Sequence, residues 1–222
     1  MRRCPLRFLL LLVLALPAAK AHPAPPPPAH AAAAEGSKAS ATKHLILQEI
    51  RRLAARRIGY GARWLPEGSS RPWVMDCSNT VRYLFLRLMG EDLGRTASDQ
   101  FCRLQEKGLL WSIPSDSHGR PDPLYLRTHL RPGDLLFWEN TYRPKRNPPI
   151  THVMIFLERT PRGRWLMVGS EPNRGFYNPR GSGPDVRLFD PVRSMGGYHR
   201  GFIYVPARLV AYGRLLGENQ SR

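Results

Sequence analysis

The hydrophobic pattern of this chain changes period once, and that change sets the folds open to it. Up to about residue 108, apolar residues recur every three or four positions, the spacing of one helix face. Leu45, Leu47, Ile50, Leu53, Ala54 and Ile58 form such a face on a helix beginning near Thr42. Arg51, Arg52, Arg56 and Arg57 fall on its solvent side, and Gly59 and Gly61 stop it around Tyr60. Val81, Leu84, Phe85 and Leu88 form a second face, on a helix that starts at Cys77 and is capped by Gly90. Thr96-Ala97-Ser98-Asp99 opens a third, short helix that ends at Gly108. Residues 111–131, rich in Pro, Asp, Ser and Gly, read as a loop. Beyond them the apolar residues come in short continuous runs, at 135–138, 153–157, 165–168, 186–189 and 202–205. Helices first and strands after predict an α+β fold, with N-terminal helices packed on an antiparallel sheet of about five strands.

The N-terminus follows neither pattern. Arg2, Arg3 and Arg7 precede an apolar run at residues 8–16, then Pro17 and the small-x-small site Ala19-Lys20-Ala21. The run is too short to span a bilayer and has the form of a secretory signal peptide over residues 1–21. Export through a Sec-type route to a periplasm or the exterior is therefore expected, with no transmembrane segment in the mature chain. Residues 22–41, HPAPPPPAHAAAAEGSKASA, read as a Pro/Ala-rich spacer, and 42–222 as a single domain. The chain carries 34 Lys and Arg against 17 Asp and Glu, a formal charge of +17. The leader takes four basic residues and no acid, leaving +13. That excess suits an anionic envelope polymer as partner. The basic residues are scattered and form no aromatic-basic module, so no specific nucleic acid is expected. His118, His129 and His199 lack metal-ligand spacing, and neither a metal nor an organic cofactor is expected.

The chemistry centres on Cys77. A helix N-terminus presents unpaired amides and partial positive charge, which favour a thiolate and can hold an oxyanion. His152 opens the strand run at 153–157 and is placed to act as base and imidazolium partner. A third polar residue should orient its ring. On these features alone, Cys77 reads equally as a buried apolar residue and His152 as a structural one. Cys102 is either a buried thiol or the disulfide partner of Cys77, a bridge that would silence the nucleophile.

Asp76-Cys77-Ser78, followed by Val81, resembles the Asp-Cys-Ser-Gly-x-Val nucleophile motif of the NlpC/P60 cell-wall cysteine peptidases. Arg95-Thr96-Ala97-Ser98-Asp99-Gln100 is similar to that family's Arg-Thr-Ser-x-Gln segment. Leu130-Arg131-Pro132-Gly133-Asp134-Leu135-Leu136-Phe137 resembles its Leu-x-Pro-Gly-Asp-Leu-Val-Phe strand opening, and Thr151-His152-Val153-Met154-Ile155-Phe156 its His-Val-Gly-Ile-Tyr strand. Tyr60 stands where the family carries a substrate-side tyrosine. The resemblance spans about residues 45–190. It implies a papain-like core, Cys77 as nucleophile, His152 as base, and Tyr60, Asp76 and Ser78 on the substrate side.

Two positions depart from the pattern. Asn79 replaces the glycine after Asp-Cys-Ser, and the slot of the family's third polar residue falls near Val168. Val168-Gly169-Ser170-Glu171-Pro172-Asn173 resembles instead the Val-Ser-Glu-x-Asn strand end of the related CHAP amidases, in which the glutamate orients the histidine. This implies Glu171 as the orienting residue, with Asn173 as alternate or as a substrate-side group. The expected function is a secreted cysteine hydrolase acting on peptide or amide bonds of peptidoglycan or a related envelope substrate. A catalytically divergent envelope-binding module and a thiol acyltransferase are the rival readings. The loop Arg143-Pro144-Lys145-Arg146 before His152 is a candidate basic rim of the cleft.

Overall fold

The computed structural model describes residues 29–62, 74–193 and 195–215, so the leader expected at 1–21 lies outside the described residues. Helix α1, Ala29–Ala55, begins well before the expected Thr42. Its early part, drawn from the stretch expected to be spacer, is alanine-rich, and alanine has the highest helix propensity of any residue. Its first buried residue, among those described, is Ile46. Ile46, Ile50 and Leu53, spaced four and three residues apart, are fully buried. The buried stripe thus runs through Ile46, while Leu45, expected on that face, is half-exposed. Arg57 follows the helix in a left-handed conformation (φ 54°). The glycines expected to stop α1 instead belong to an extended segment: β1, Gly59–Tyr60, pairs in parallel with β2, Val74–Met75.

Helix α2, Cys77–Met89, has the boundaries its sequence predicts. Asp76 caps it by accepting a bond from the Asn79 amide at 2.8 Å, and Gly90 closes it in a left-handed conformation (φ 70°). Val81, Leu84 and Phe85 are buried against strands described below. Helix α3, Ala97–Glu106, opens with a reciprocal capping box between Thr96 and Asp99. The expected loop at 111–131 holds two short elements: β3, Leu110–Ser112, and α4, Pro123–His129. Helix α4 starts with an Asp122 cap and a proline in the first turn, yet it buries Leu126 alone. One buried residue gives no helical period to read.

The main sheet is antiparallel and has six strands: β3, β4 (Leu135–Glu139), β5 (Ile150–Arg159), β6 (Trp165–Glu171), β7 (Gly183–Phe189) and β10 (Arg208–Gly213), in the order β3-β10-β4-β5-β6-β7. Four of the five expected strands are in it. The fifth expected run, 202–205, is not. It falls in a separate hairpin of β8, Gly197–Arg200, and β9, Ile203–Pro206. The main sheet takes β10 instead, whose Leu209, Ala211 and Tyr212 are buried where Ile203 and Tyr204 are exposed. Helices α1, α2 and α3 all pack on this sheet. Thr80 of α2 and Ser170 of β6 share a buried hydroxyl–hydroxyl hydrogen bond of 2.7 Å, which fixes the helix start over the strand. No helix among the described residues is long and apolar enough to cross a membrane.

The Pro-Gly-Asp turn before β4 is stitched to two distant elements. Buried Asp134 accepts from the Arg131 amide at 2.8 Å and from Arg214, just past β10, through Nε and Nη2 at 2.8 Å each. The Phe156 amide of β5 donates to the Asp134 carbonyl at 2.7 Å. Asp134→Ala strands the Arg214 guanidinium and should lower unfolding stability by about 3 kcal/mol, as breaking one partner of a buried ion pair does. Urea denaturation measures this.

Candidate active site

Cys77 is the first residue of α2 and is 7% exposed. The cap fixes which amides around it are free. Asp76 accepts the Asn79 amide with its carboxylate and the Thr80 amide with its carbonyl. The amides of Cys77 and Ser78 are the two of this first turn left for another acceptor. Gln100 of α3 holds the turn from behind, donating to the Ser78 carbonyl at 2.8 Å. The Asp76 carboxylate, one residue from the thiol, is neutralised by Arg95. That guanidinium reaches Asp76 Oδ2 at 2.7 Å, Ser78 Oγ at 3.0 Å and the Ala62 carbonyl at 2.5 Å.

His152 lies on β5 opposite Trp138, with the ring centroids 5.5 Å apart, and is 8% exposed. Its buried Nε2 stands 3.6 Å from Glu171 Oε1 at the end of β6, an ion pair at longer than hydrogen-bond range. That leaves Nδ1 for the sulfur. Burial works against a charged ring here, but the Cys77 sulfur and the Glu171 carboxylate outweigh it and raise His152 to about 10. Burial likewise pushes the Glu171 carboxyl up, and His152 and Arg187 together bring it below the usual range.

Arg187, on β7 and 4% exposed, completes the arrangement. Its Nη1 lies 3.7 Å from Glu171 Oε2 and donates to the Asn173 carbonyl at 2.6 Å. Its Nη2 donates to the carbonyls of Gly183 at 2.9 Å and Glu171 at 3.3 Å. One guanidinium thus ties the carboxylate, the end of β6 and the turn after it to β7. The sequence reading missed this residue. Its available signal was a lone charge inside the apolar run Val186-Arg187-Leu188-Phe189. Arg95 was quoted in a motif without a role.

Cys77, His152 and Glu171 open onto one cleft of about 800 Å³. Tyr60 lines it from β1, its hydroxyl pushed up to about 12 by burial and by the nearby charges of Cys77 and Asp76. Tyr142 and Arg146 line it from the loop before β5, so the expected basic rim does reach the cleft. Asp76 and Ser78 line it too, with their side chains bonded to each other (Ser78 Oγ donating at 3.0 Å) and to Arg95. Asn173 lies on the wall, exposed, and its side chain forms no hydrogen bond among the described residues. The group beside His152 is Glu171. Buried Asn79 donates weakly to the Ala62 carbonyl at 3.5 Å. Cys77 and Cys102 form no disulfide. No group of three or more metal-ligating side chains occurs among the described residues.

A thiol at the start of a buried helix, facing a strand histidine across an antiparallel sheet, is the framework of the papain-like α+β folds. The model of the NlpC/P60 family matches residues 63–173, half of the chain, a stretch that includes Cys77, His152 and Glu171. The chain belongs to the NlpC/P60 family, whose members are generally cysteine peptidases and amidases. No curated protein is matched by the chain.

Two outcomes follow from the electrostatics. Because His152 is raised from 6.5 to about 10, its contribution to stability is complete below about pH 6.5 and is lost as the pH rises through about 10. In NMR titration of labelled histidine, the ring should remain charged at about pH 8. Cys77→Ala and Glu171→Gln should each move its midpoint down. Arg187→Met removes the donor from three carbonyls and the counter-ion of a carboxylate and should cost about 3 kcal/mol in urea denaturation. Arg187→Lys, which keeps the charge, should cost less.

Proposed function

We propose that the protein is a cysteine hydrolase that cleaves peptide or amide bonds in peptidoglycan or a related cell-envelope substrate. The observation that carries this reading is the convergence of Cys77, His152 and Glu171 on one cleft beside unsatisfied helix amides. The Cys77 sulfur attacks the substrate carbonyl carbon, and the carbonyl oxygen becomes an oxyanion held by the amides of Cys77 and Ser78. The His152 imidazolium gives its proton to the departing amine as the C–N bond breaks, leaving a thioester. His152, now neutral, takes a proton from water, whose oxygen adds to the thioester. Collapse releases the acid and restores the thiolate–imidazolium pair. Glu171, 3.6 Å from Nε2, stabilises the positive charge of the ring. Tyr60, Tyr142 and Arg146 stand where the chain flanking the scissile bond must pass.

Family membership supports the reaction class. The basic leader and apolar run at residues 1–16 support export, and the positive charge supports work beside an anionic envelope polymer.

Purified protein incubated with muropeptides should release new amines and carboxylates, resolved by mass spectrometry. Cys77→Ala should abolish release while leaving the circular dichroism spectrum unchanged. Glu171→Gln should lower kcat by about 10²–10⁴-fold, the range of orienting and acid–base effects. Equal activity in wild type and Cys77→Ala would sink the proposal. Binding of wall fragments without cleavage would move the protein to the rival class of envelope-binding modules.

A further inference from the structure

Packing does not account for the tip of the β8–β9 hairpin. The two strands pair with each other and with no strand of the main sheet. At their turn Phe202 is fully exposed, and the next two residues, Ile203 and Tyr204, are 69% and 50% exposed. Single exposed apolar residues are ordinary, whereas three in succession on one projection mark a contact site. The projection is a built one. Gly201 closes the turn in a left-handed conformation (φ 63°), and the His199 and Tyr204 rings lie 5.3 Å apart. Tyr204 also covers Gly197, where an added Cβ would fall 2.7 Å from its hydroxyl oxygen.

The charge around the tip has one sign. Residues 191–207 contain Arg193, His199 and Arg200 and no acid. Arg200 sits opposite Ile203 in the ladder, and Arg193 is exposed on the segment that leads into β8. Neither has an acidic partner among the described residues. The nearest acid before this stretch, Asp190, accepts the Val192 amide at the far end of the segment.

We propose that the hairpin is a wedge that docks on an anionic lipid bilayer. Phe202 and Ile203 enter the headgroup–acyl boundary, Arg200 and Arg193 meet lipid phosphates, and Tyr198 and Tyr204 lie at headgroup level. A protein partner fits the shape less well. A stable protein interface covers about 800 Å² per side with a packed centre, and a convex tip of three residues does not present one. A fluid bilayer closes around such a tip, and binding then grows with apolar insertion plus attraction of basic groups to anionic lipid. The net charge, +17 with residues 1–21 and +13 without them, adds long-range attraction of the same sign. Met195 and Gly196, at the foot of β8, line the cleft of Cys77 and His152, so docking sets the cleft mouth near the lipid surface.

The test is co-sedimentation of the full chain with vesicles of phosphatidylcholine containing phosphatidylglycerol, against phosphatidylcholine alone. The apolar run at residues 8–16 is common to wild type and variants, so their difference reads the hairpin. The double variant Phe202→Ser, Ile203→Ser should bind anionic vesicles at least about tenfold more weakly, with unchanged melting. Arg193→Glu with Arg200→Glu should weaken binding similarly and flatten its salt dependence. Phe202→Trp should show added tryptophan emission that brominated lipid quenches. Wild type that stays in the supernatant, or variants that sediment as wild type does, would overturn the proposal. So would self-association of the soluble protein that the serine variant abolishes, which assigns the tip to a protein contact. Hydrolysis of soluble muropeptides should be the same in the serine variant and in wild type, which separates this result from the fate of the proposed reaction.

Discussion

A histidine that carries charge inside a protein has to be matched by anions, and here that requirement runs through four secondary-structure elements. Burial alone would drive His152 to its neutral form. The sulfur at the start of α2 and the carboxylate at the end of β6 reverse that preference. The carboxylate is itself withdrawn from water and keeps its charge through His152 and Arg187. Arg187 on β7 is buried in turn, and backbone carbonyls take up its Nη1 and Nη2 donors. Imidazole, carboxylate and guanidinium therefore form a row of alternating sign that starts at the Cys77 sulfur. Such a row adds little net stability compared with apolar residues of the same volume, because desolvation offsets most of the attraction. Deleting one member costs several kcal/mol, because its neighbour stays buried and unmatched. The row is explained by what it does to the imidazole rather than by folding energy.

A second arrangement, separate from that row, fixes the sulfur. Asp76 has to sit beside Cys77 because it caps α2, yet a carboxylate there opposes a neighbouring thiolate. Arg95 resolves the conflict by pairing with Asp76 while also bonding Ser78 and the Ala62 carbonyl. Gln100 and Ser98, both on α3, brace the two sides of the cleft: Gln100 holds the Ser78 carbonyl, and Ser98 donates to the carbonyls of Pro148 and Ile150 just before His152. One short helix thus sets the distance between the segment bearing the thiol and the segment bearing the imidazole. This gives the Arg-Thr-x-x-x-Gln segment a physical role that its sequence alone did not state.

Legibility followed the range of the interactions. Helix α2 was readable to the residue because its cap, its apolar face and its closing glycine all lie between Asp76 and Gly90. Strands β4 to β7 were readable as apolar runs. Strand β10 was not, since its Leu-Val-Ala-Tyr stretch resembles the one that forms β9, and only insertion between β3 and β4 distinguishes them. The α1 stripe was read correctly from Ile50 onward and missed only in its first turn, where Leu45, Ile46 and Leu47 are all apolar and only packing selects Ile46. At the site, Cys77 opens α2 and His152 is the third residue of β5, and both were visible in one dimension. Glu171 was reached through a resemblance, and Arg187 not at all, because the partners that give it a role are sixteen and fourteen residues away, at the end of β6 and in the turn after it.

This difference bears on how the family segment works in this chain. The stretch matched by the family, residues 63–173, contains the thiol, the imidazole and the carboxylate, but it is not electrostatically self-sufficient. Arg187, which sustains the Glu171 charge, lies beyond it on β7. So does β10, which separates β3 from β4 in the sheet, and so does Arg214, which holds Asp134 at the start of β4. Met195 and Gly196 add part of the cleft wall from the same C-terminal portion. The residues after 173 therefore complete both the sheet and the charge balance of the site. A change in β7 can alter the ionisation of His152 without touching any residue of the matched segment, because the path from guanidinium to carboxylate to imidazole is continuous.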